Sequence, residues 1–542
     1  MPNDCLKSKC PSLFLFSIVL FFCAGIQQVA AQNVSGKLVD SLSGAPITGA
    51  TVTVVGSDVS TKTGNEGQFS IAARLNQTLS FTHVGYTPTT LLVGAYTGLV
   101  VQMFSASTEL SDVVVVGYGK QRKVSVVAAI STMNATGLRQ TPASNIGIAL
   151  AGRLPGLSVL QRSGVPGGEQ MEFYIRGRST INGQEPLILV DGVPRDFMAL
   201  DPREVETISI LKDASATAVY GVRGANGVIM ITTRRGHAGK PIIDVTMEQS
   251  WQAPTRLPEM TSSYDYALLR NQVEVQNGRQ PIYDDAALEH YRLGNFPELY
   301  PVRDFVHEFM KDAFPMRRAN VNVSGGSEKM RYFTTVGYLF QEGIFKTEKF
   351  SEYDYSPDSK ANRVNFRSNF DIDINSSLKM FLNVSGYMQK KNDPVVVPNN
   401  GAYLNDVNGY SVVIGSLLQT PSNYHNDKTP DGEVLSTPLK GGNINNVPYG
   451  MLNRSGFRNA LTNQITASLG VEQKLDFITE GLSARAIASY DATSINQQVR
   501  QRSYQLYEAK SDPNNPDQVI YEPTGTNINS ALHFSFLQLR RF

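Results

Sequence analysis

Between residues 364 and 475 the chain alternates apolar and polar side chains with a period of two, in runs of about ten residues. Val364, Phe366, Phe370, Ile372 and Ile374 share one face of an extended strand, while Asn365, Arg367, Asn369, Asp371 and Asp373 share the other. The pattern recurs where Met380, Leu382 and Val384 oppose Lys379, Asn383 and Ser385. It returns where Ile465, Ala467, Leu469 and Val471 oppose Thr466, Ser468, Glu472 and Lys474. Successive side chains of a strand point to opposite faces, so this stretch folds as sheet and not as helix. Two kinds of sheet fit: a soluble antiparallel sheet with one wet face, or a membrane barrel whose residues face lipid and lumen in turn. Connection lengths favour the barrel. Tight connections fall near 325–330, 375–377 and 477–481, and long polar insertions cover 253–317, 343–362, 392–459 and 493–530. Several loops beyond about 15 residues are rare in a soluble domain, whereas short turns at one rim and long loops at the other are normal in an outer-membrane barrel. About eight strands are expected, near 242–251, 319–326, 330–341, 362–374, 378–390, 461–475, 482–492 and 531–541.

At the other end, Lys7 and Lys9 precede the apolar run Leu13 to Ala24, and Val29, Ala30 and Ala31 offer a cleavage point, so residues 1–31 read as a Sec signal peptide. The run is shorter than the roughly 20 residues that span a bilayer. Cys5, Cys10 and Cys23 all lie in this segment, which leaves the body of the chain without disulfide or thiolate chemistry. Phe21 and Phe22 stand where a lipoprotein signal needs small residues ahead of Cys23. No later stretch of 18 apolar residues occurs, so a membrane form of the mature chain must be a barrel. Lys and Arg (49) balance Asp and Glu (48) at a net charge of +1, which gives no support to a nucleic-acid partner.

The whole reads as mainly β. Residues 33–105 alternate short strands with Gly and Pro turns and are expected to form an antiparallel β-sandwich. Residues 110–120 form a linker, and residues 121–236 a mixed α+β domain in which Leu187–Val190 and Val228–Ile231 are buried strands. Residues 241–542 are a partial, incomplete transmembrane antiparallel β-barrel. Within the linker, Asp112, Val113, Val114, Val115, Val116, Gly117 and Tyr118 make a β-branched run without proline between two folded units. Such a segment can add as a strand to a partner's exposed sheet edge. The lesser alternative is an ordinary strand of either neighbouring domain.

Enzymatic and metal signatures are missing from the sequence. Gly221, Gly224 and Gly227 are spaced for tight turns and not as a phosphate-cradling loop. The run from Asp427 to Gly432 resembles the start of a calcium loop, but Pro438 stands where a bidentate Glu is needed. Asp191 and Gly192 signal a turn, and the six histidines show no ligand spacing. No enzyme activity and no cofactor are expected.

Three segments together resemble one family: Leu110 to Lys123, Tyr174 to Gly183 with Leu189 to Pro194, and Asp213 to Gly227. They are similar to the SusC/RagA family of TonB-linked outer-membrane transporters. Residues 36–86 resemble the non-catalytic carboxypeptidase-regulatory-like β-sandwich. The resemblance implies that Asp112 to Tyr118 is the TonB box and that residues 121–236 are the plug. It implies a multi-pass barrel in the outer membrane and TonB as a partner, energised by ExbB and ExbD. A SusD-like surface lipoprotein and uptake of a large nutrient, an oligosaccharide first and a peptide second, are implied with it. Barrels of this family have about 22 strands. Eight strands cannot enclose a plug, because side chains alone fill so narrow a barrel, so the expectation is the N-terminal part of a longer protein. The competing class is a secreted β-rich adhesion or scaffold protein.

Overall fold

The structure is a computed structural model. It describes residues 32–41, 44–94, 97–104, 113–116, 119–122, 130–140, 142–178, 185–349, 355–395, 406–437, 447–524, 530–531 and 533–541. The signal-peptide segment 1–31 lies outside the described residues. So do residues 179–183 of the second motif.

The first unit is a two-layer sandwich of seven strands: β1 (Gln32–Asp40), β2 (Thr51–Val54), β3 (Ser60–Lys62), β4 (Gln68–Ala73), β5 (Thr78–Thr82), β6 (Thr89–Leu92) and β7 (Leu99–Met103). One sheet has the order β4-β1-β7 and the other β3-β2-β5-β6. Alternation sets the core: Phe69, Ile71 and Ala73 of β4 point inward, as do Leu79 and Phe81 of β5. The Phe69 and Phe81 rings meet edge to face at 5.2 Å. Burying each contributes roughly 2–3 kcal/mol. One expectation fails here. Residues 36–40 of β1 run parallel to β7, so this sheet is mixed and not antiparallel. Strand direction depends on how the intervening chain crosses to the second sheet, and local alternation does not encode that.

The linker yields a hairpin, β8 (Val113–Val116) paired with β9 (Gly119–Arg122) as a two-stranded sheet.

The mixed α+β domain is built on a five-stranded sheet, β10 (Ile130–Asn134), β15 (Val205–Leu211), β16 (Val228–Thr233), β13 (Leu187–Val190) and β14 (Val193–Pro194), in that spatial order. A separate hairpin joins β11 (Leu157–Gln161) to β12 (Met171–Ile175). The short helices α1 (Ala135–Arg139), α2 (Ile146–Leu150) and α3 (Ala214–Thr217) cover the sheet. Asn145 caps α2, its side-chain oxygen accepting from the Ile148 amide at 3.0 Å. Leu138, Ile146, Phe173, Phe197, Ile208 and Ile229 share the core. Gly227 sits at φ +90°, and a Cβ there would lie 2.5 Å from Ile175 Cδ1, so only glycine fits.

The eight expected strands all form. They are β17 (Gly239–Gln252), β18 (Phe314–Gly326), β19 (Met330–Glu342), β20 (Lys360–Asp373), β21 (Leu378–Pro394), β24 (Gly456–Lys474), β25 (Ser483–Gln501) and β28 (His533–Arg541). They pair antiparallel in chain order, and among the described residues β17 and β28 each keep one unpaired edge. No helix among these residues is long and apolar enough to cross a membrane. The sheet is inside out by soluble standards. Val336, Phe366 and Ile465 are 51%, 38% and 51% exposed, while Arg367 and Asn369 on the opposite face are 3% and 0% exposed. A soluble sheet would bury the apolar row. Here the mixed α+β domain fills the concave side and covers the polar one.

The long insertions are not plain loops, which corrects the sequence reading. They carry helices α4 (Ser263–Gln276), α5 (Asp285–Leu293), α6 (Phe305–Phe309), α7 (Asp406–Gln419) and α8 (Pro448–Asn453). They also carry a four-stranded sheet of β22 (Asn426–Lys428), β23 (Val434–Ser436), β26 (Leu506–Asp512) and β27 (Asn515–Thr524). Ser262 and Asp284 cap α4 and α5 through hydrogen bonds of 3.1 and 2.8 Å from the amides of Asp265 and Ala287. Phe305, Phe309, Phe345, Val413, Met451 and Leu506 form one buried core joining insertions far apart in sequence. The suspected calcium loop is the β22–β23 hairpin, with Asp427 paired to Arg303 at 2.8 Å.

Candidate functional site

A polar seam joins the mixed α+β domain to the inner face of the eight-stranded wall. Strand alternation aims Arg318, Asn320, Arg363, Asn365, Arg367 and Asn369 at this domain. Arg367 Nε meets Glu204 Oε2 at 2.8 Å with both side chains buried. Arg195 forks onto Asp491, both contacts from Nε at 2.9 Å, and reaches the Ala467 carbonyl at 2.8 Å. Arg318 lies 3.4 Å from Asp201, and Arg203 pairs with Glu248. Arg235 bonds Asn383 at 2.7 Å and Asp371 at 3.3 Å.

Much of the remaining seam is wall side chain to domain backbone. Asn365 donates to the Ala199 carbonyl at 2.6 Å, Arg363 to Ser144 at 3.0 Å, and Asn369 to Arg234 at 2.7 Å. The side-chain amide of Asn320 and the Asn369 oxygen are buried without a protein partner. A small cavity opens beside Arg195, Glu204, Arg367 and Thr466. A polar seam gives registry, and it contributes less cohesion than an apolar interface of the same size.

Burial pushes the Glu204 carboxyl above its ordinary range, with Asp201 adding to the rise and Arg367 opposing it. At the far end, the β11–β12 connection reaches into the core built by the insertions, where Val165 is fully buried. Gln389 donates to the Gly167 carbonyl at 2.8 Å, tying the same connection to the wall.

Of the expected coupling residues, Val113, Val114, Val115 and Val116 form β8. Asp112, Gly117 and Tyr118 lie outside the described residues. The run therefore pairs with its own downstream strand instead of standing alone. An isolated two-stranded hairpin is marginal in water, so exchanging β9 for a partner's edge costs little. Asp191, read only as a turn residue, sits at φ +50° and also accepts from the Thr233 amide and hydroxyl at 3.0 and 2.6 Å. Reading the sequence placed Arg367 and Asn369 on the wet face but missed Glu204, Asp201 and Arg195. The only local signal for these acids was their place beside Pro202.

Comparison with known proteins matches two segments to family models. Residues 34–116 match the CarboxypepD_reg-like domain and residues 122–228 the TonB-dependent receptor plug domain. The chain is 33% identical over 409 residues to TonB-dependent receptor P26 of Formosa agariphila, covering 72% of this chain and 39% of that protein. It is 29% identical over 357 residues to TonB-dependent receptor SusC of Bacteroides thetaiotaomicron, covering 63% of this chain and 34% of that one. The chain thus spans well under half the length of these relatives. Among solved structures, the RagAB peptide importer in its open-open state superposes with a TM-score of 0.55 at 22% identity, over 74% of this chain and 44% of the other. That likeness shows the fold. The chain is similar to SusC/RagA-type TonB-dependent receptors through its regulatory-like, plug and first barrel segments.

Proposed function

We propose that the chain forms the energy-coupling front of an outer-membrane transporter that imports a large nutrient through a plugged barrel. In this reading residues 33–105 are the regulatory-like sandwich, 110–120 the coupling linker, 121–236 the plug and 241–542 part of the barrel. The observation that carries it is the inverted wall, apolar toward the surroundings and polar toward a domain held by breakable hydrogen bonds. A secreted adhesion or scaffold protein would have no use for a sheet whose exposed face is greasy.

The mechanism follows from the geometry. TonB, driven by ExbB and ExbD, takes Asp112 to Tyr118 as an added strand, with β8 leaving β9. Main-chain hydrogen bonds supply the grip, and side-chain identity matters less. Force on the linker is applied to the first strand of the plug sheet, β10, which pairs with β15 next to Glu204. The seam then yields one polar contact at a time. A SusD-like surface lipoprotein delivers the cargo, an oligosaccharide by preference and a peptide as the second choice.

Deleting residues 112–118 in the outer-membrane protein tests this reading. Uptake should vanish while substrate binding and membrane insertion persist. Unchanged uptake would refute it.

A further inference from the structure

The lipid-facing side of the wall is not uniform. Register places Gln249, Arg317, Phe340, Asn362 and Lys390 in one cross-strand row on the outward face. Trp251 and Lys360 lie one outward step nearer the long insertions, and Arg500 one step further still, opposite Phe457 and Phe534. Arg317 lies 5.7 Å from the Phe340 ring centroid, and Arg500 lies 5.5 Å from that of Phe457. Arg317, Lys390 and Arg500 are exposed and Lys360 is half-buried. Among the described residues none of the four has a carboxylate partner within 4.0 Å. The outward acid of this tier among the described strand residues, Glu342, stands opposite Lys360 in register and lies 3.6 Å from Lys311.

Toward the tight turns the outward face is apolar, carried by Val321, Val336, Phe366, Ile465 and Leu469. Arg540, on the free-edged β28, is the one outward cation below the tier among the described strand residues. Cations on a lipid-facing surface are tolerated near the interface and not at the midplane. Four of them gathered at one rim, interleaved with aromatic rings and outnumbering the acid Glu342 that stands opposite Lys360, make a surface complementary to anionic headgroups.

We propose that Arg317, Lys360, Lys390 and Arg500 form a docking belt for phosphate-bearing lipid headgroups of the outer leaflet. This rests on the barrel reading above. Aromatic neighbours hold the guanidinium groups at headgroup height, and the lysines reach upward from the acyl region. Each cation near an anionic lipid surface is worth roughly fivefold in affinity.

The test uses the protein purified from outer membranes in neutral detergent. It is titrated with lipid A carrying its phosphates, with the same lipid dephosphorylated, and with inorganic phosphate, while bound lipid and the unfolding midpoint are followed. The phosphorylated lipid should bind and raise the midpoint, and the other two should not. The variant R317Q/K360Q/K390Q/R500Q should bind it at least tenfold more weakly, and removing Lys329, Lys379 and Lys474 at the opposite rim should leave binding unchanged. Equal binding of the two lipids, or equal loss from either set of substitutions, overturns the proposal. Competition by inorganic phosphate at the same concentration would show an anion site and overturn it too. Absence of the protein from the membrane fraction would instead sink the barrel reading itself. If the fourfold variant fails to insert, the two lipids compared on the unaltered protein still decide.

Discussion

Glu204 and Arg367 are 163 positions apart and meet with both side chains out of water. Removing one partner of such a pair strands a buried charge, at a cost of about 3–5 kcal/mol. Arg367→Ala should therefore loosen the plug, seen as faster protease cleavage within residues 130–233 of the membrane-inserted protein. The paired replacement Glu204→Leu with Arg367→Met should restore most of the protection, since an apolar pair of similar volume leaves no charge uncompensated. The same carboxyl gives a pH dependence. Its folded value is raised above the ordinary 4.5 by burial, so the docked plug holds the proton more tightly than the free one. That contribution is fully present below pH 4.5 and is lost as pH rises through the raised value. Plug protection should fall as pH climbs above 4.5, and Glu204→Gln should flatten the profile. A profile unchanged by that substitution would assign the titration to another group.

At the scale of elements, the period of two was enough to find all eight wall strands, because each pairs antiparallel with its neighbour in chain order whether a tight turn or a long insertion joins them. The folded insertions were illegible for the opposite reason. Their core joins Phe305, Val413, Met451 and Leu506, which only tertiary closure brings together. The seam was half legible: alternation exposed the wall's side, and nothing local marks the plug's side. For the linker, Val115→Pro removes an amide that any added strand needs and resists strand pairing. It should abolish uptake as fully as deletion does while leaving barrel insertion intact, as surface labelling of the inserted protein would check. The sandwich closes its own core with Leu38, Phe69, Phe81 and Met103. Residues 33–104 expressed alone should melt cooperatively with β-type circular dichroism; a flat baseline would move the boundary.

At the scale of the molecule, the eight described strands leave two free edges, and each unsatisfied backbone group in hydrocarbon costs several kcal/mol. A polypeptide of these 542 residues alone should yield no heat-modifiable membrane species, with the sandwich surviving as its protease-resistant core. The orientation of the wall is open to a direct measurement in the outer-membrane protein, because residues 24–542 hold no cysteine and a thiol introduced there labels a chosen wall position. Nitroxide labels placed singly at Val336, Phe366 and Ile465, and at Thr335, Asn369 and Ser468, are compared for collision with oxygen and with a water-soluble nickel complex. The first three should meet oxygen and exclude nickel, as lipid-facing sites do. The second three should be shielded from both reagents, or reached by nickel alone. Nickel access at the first three, in protein recovered from the aqueous fraction, would show a soluble sheet and contradict the transporter reading.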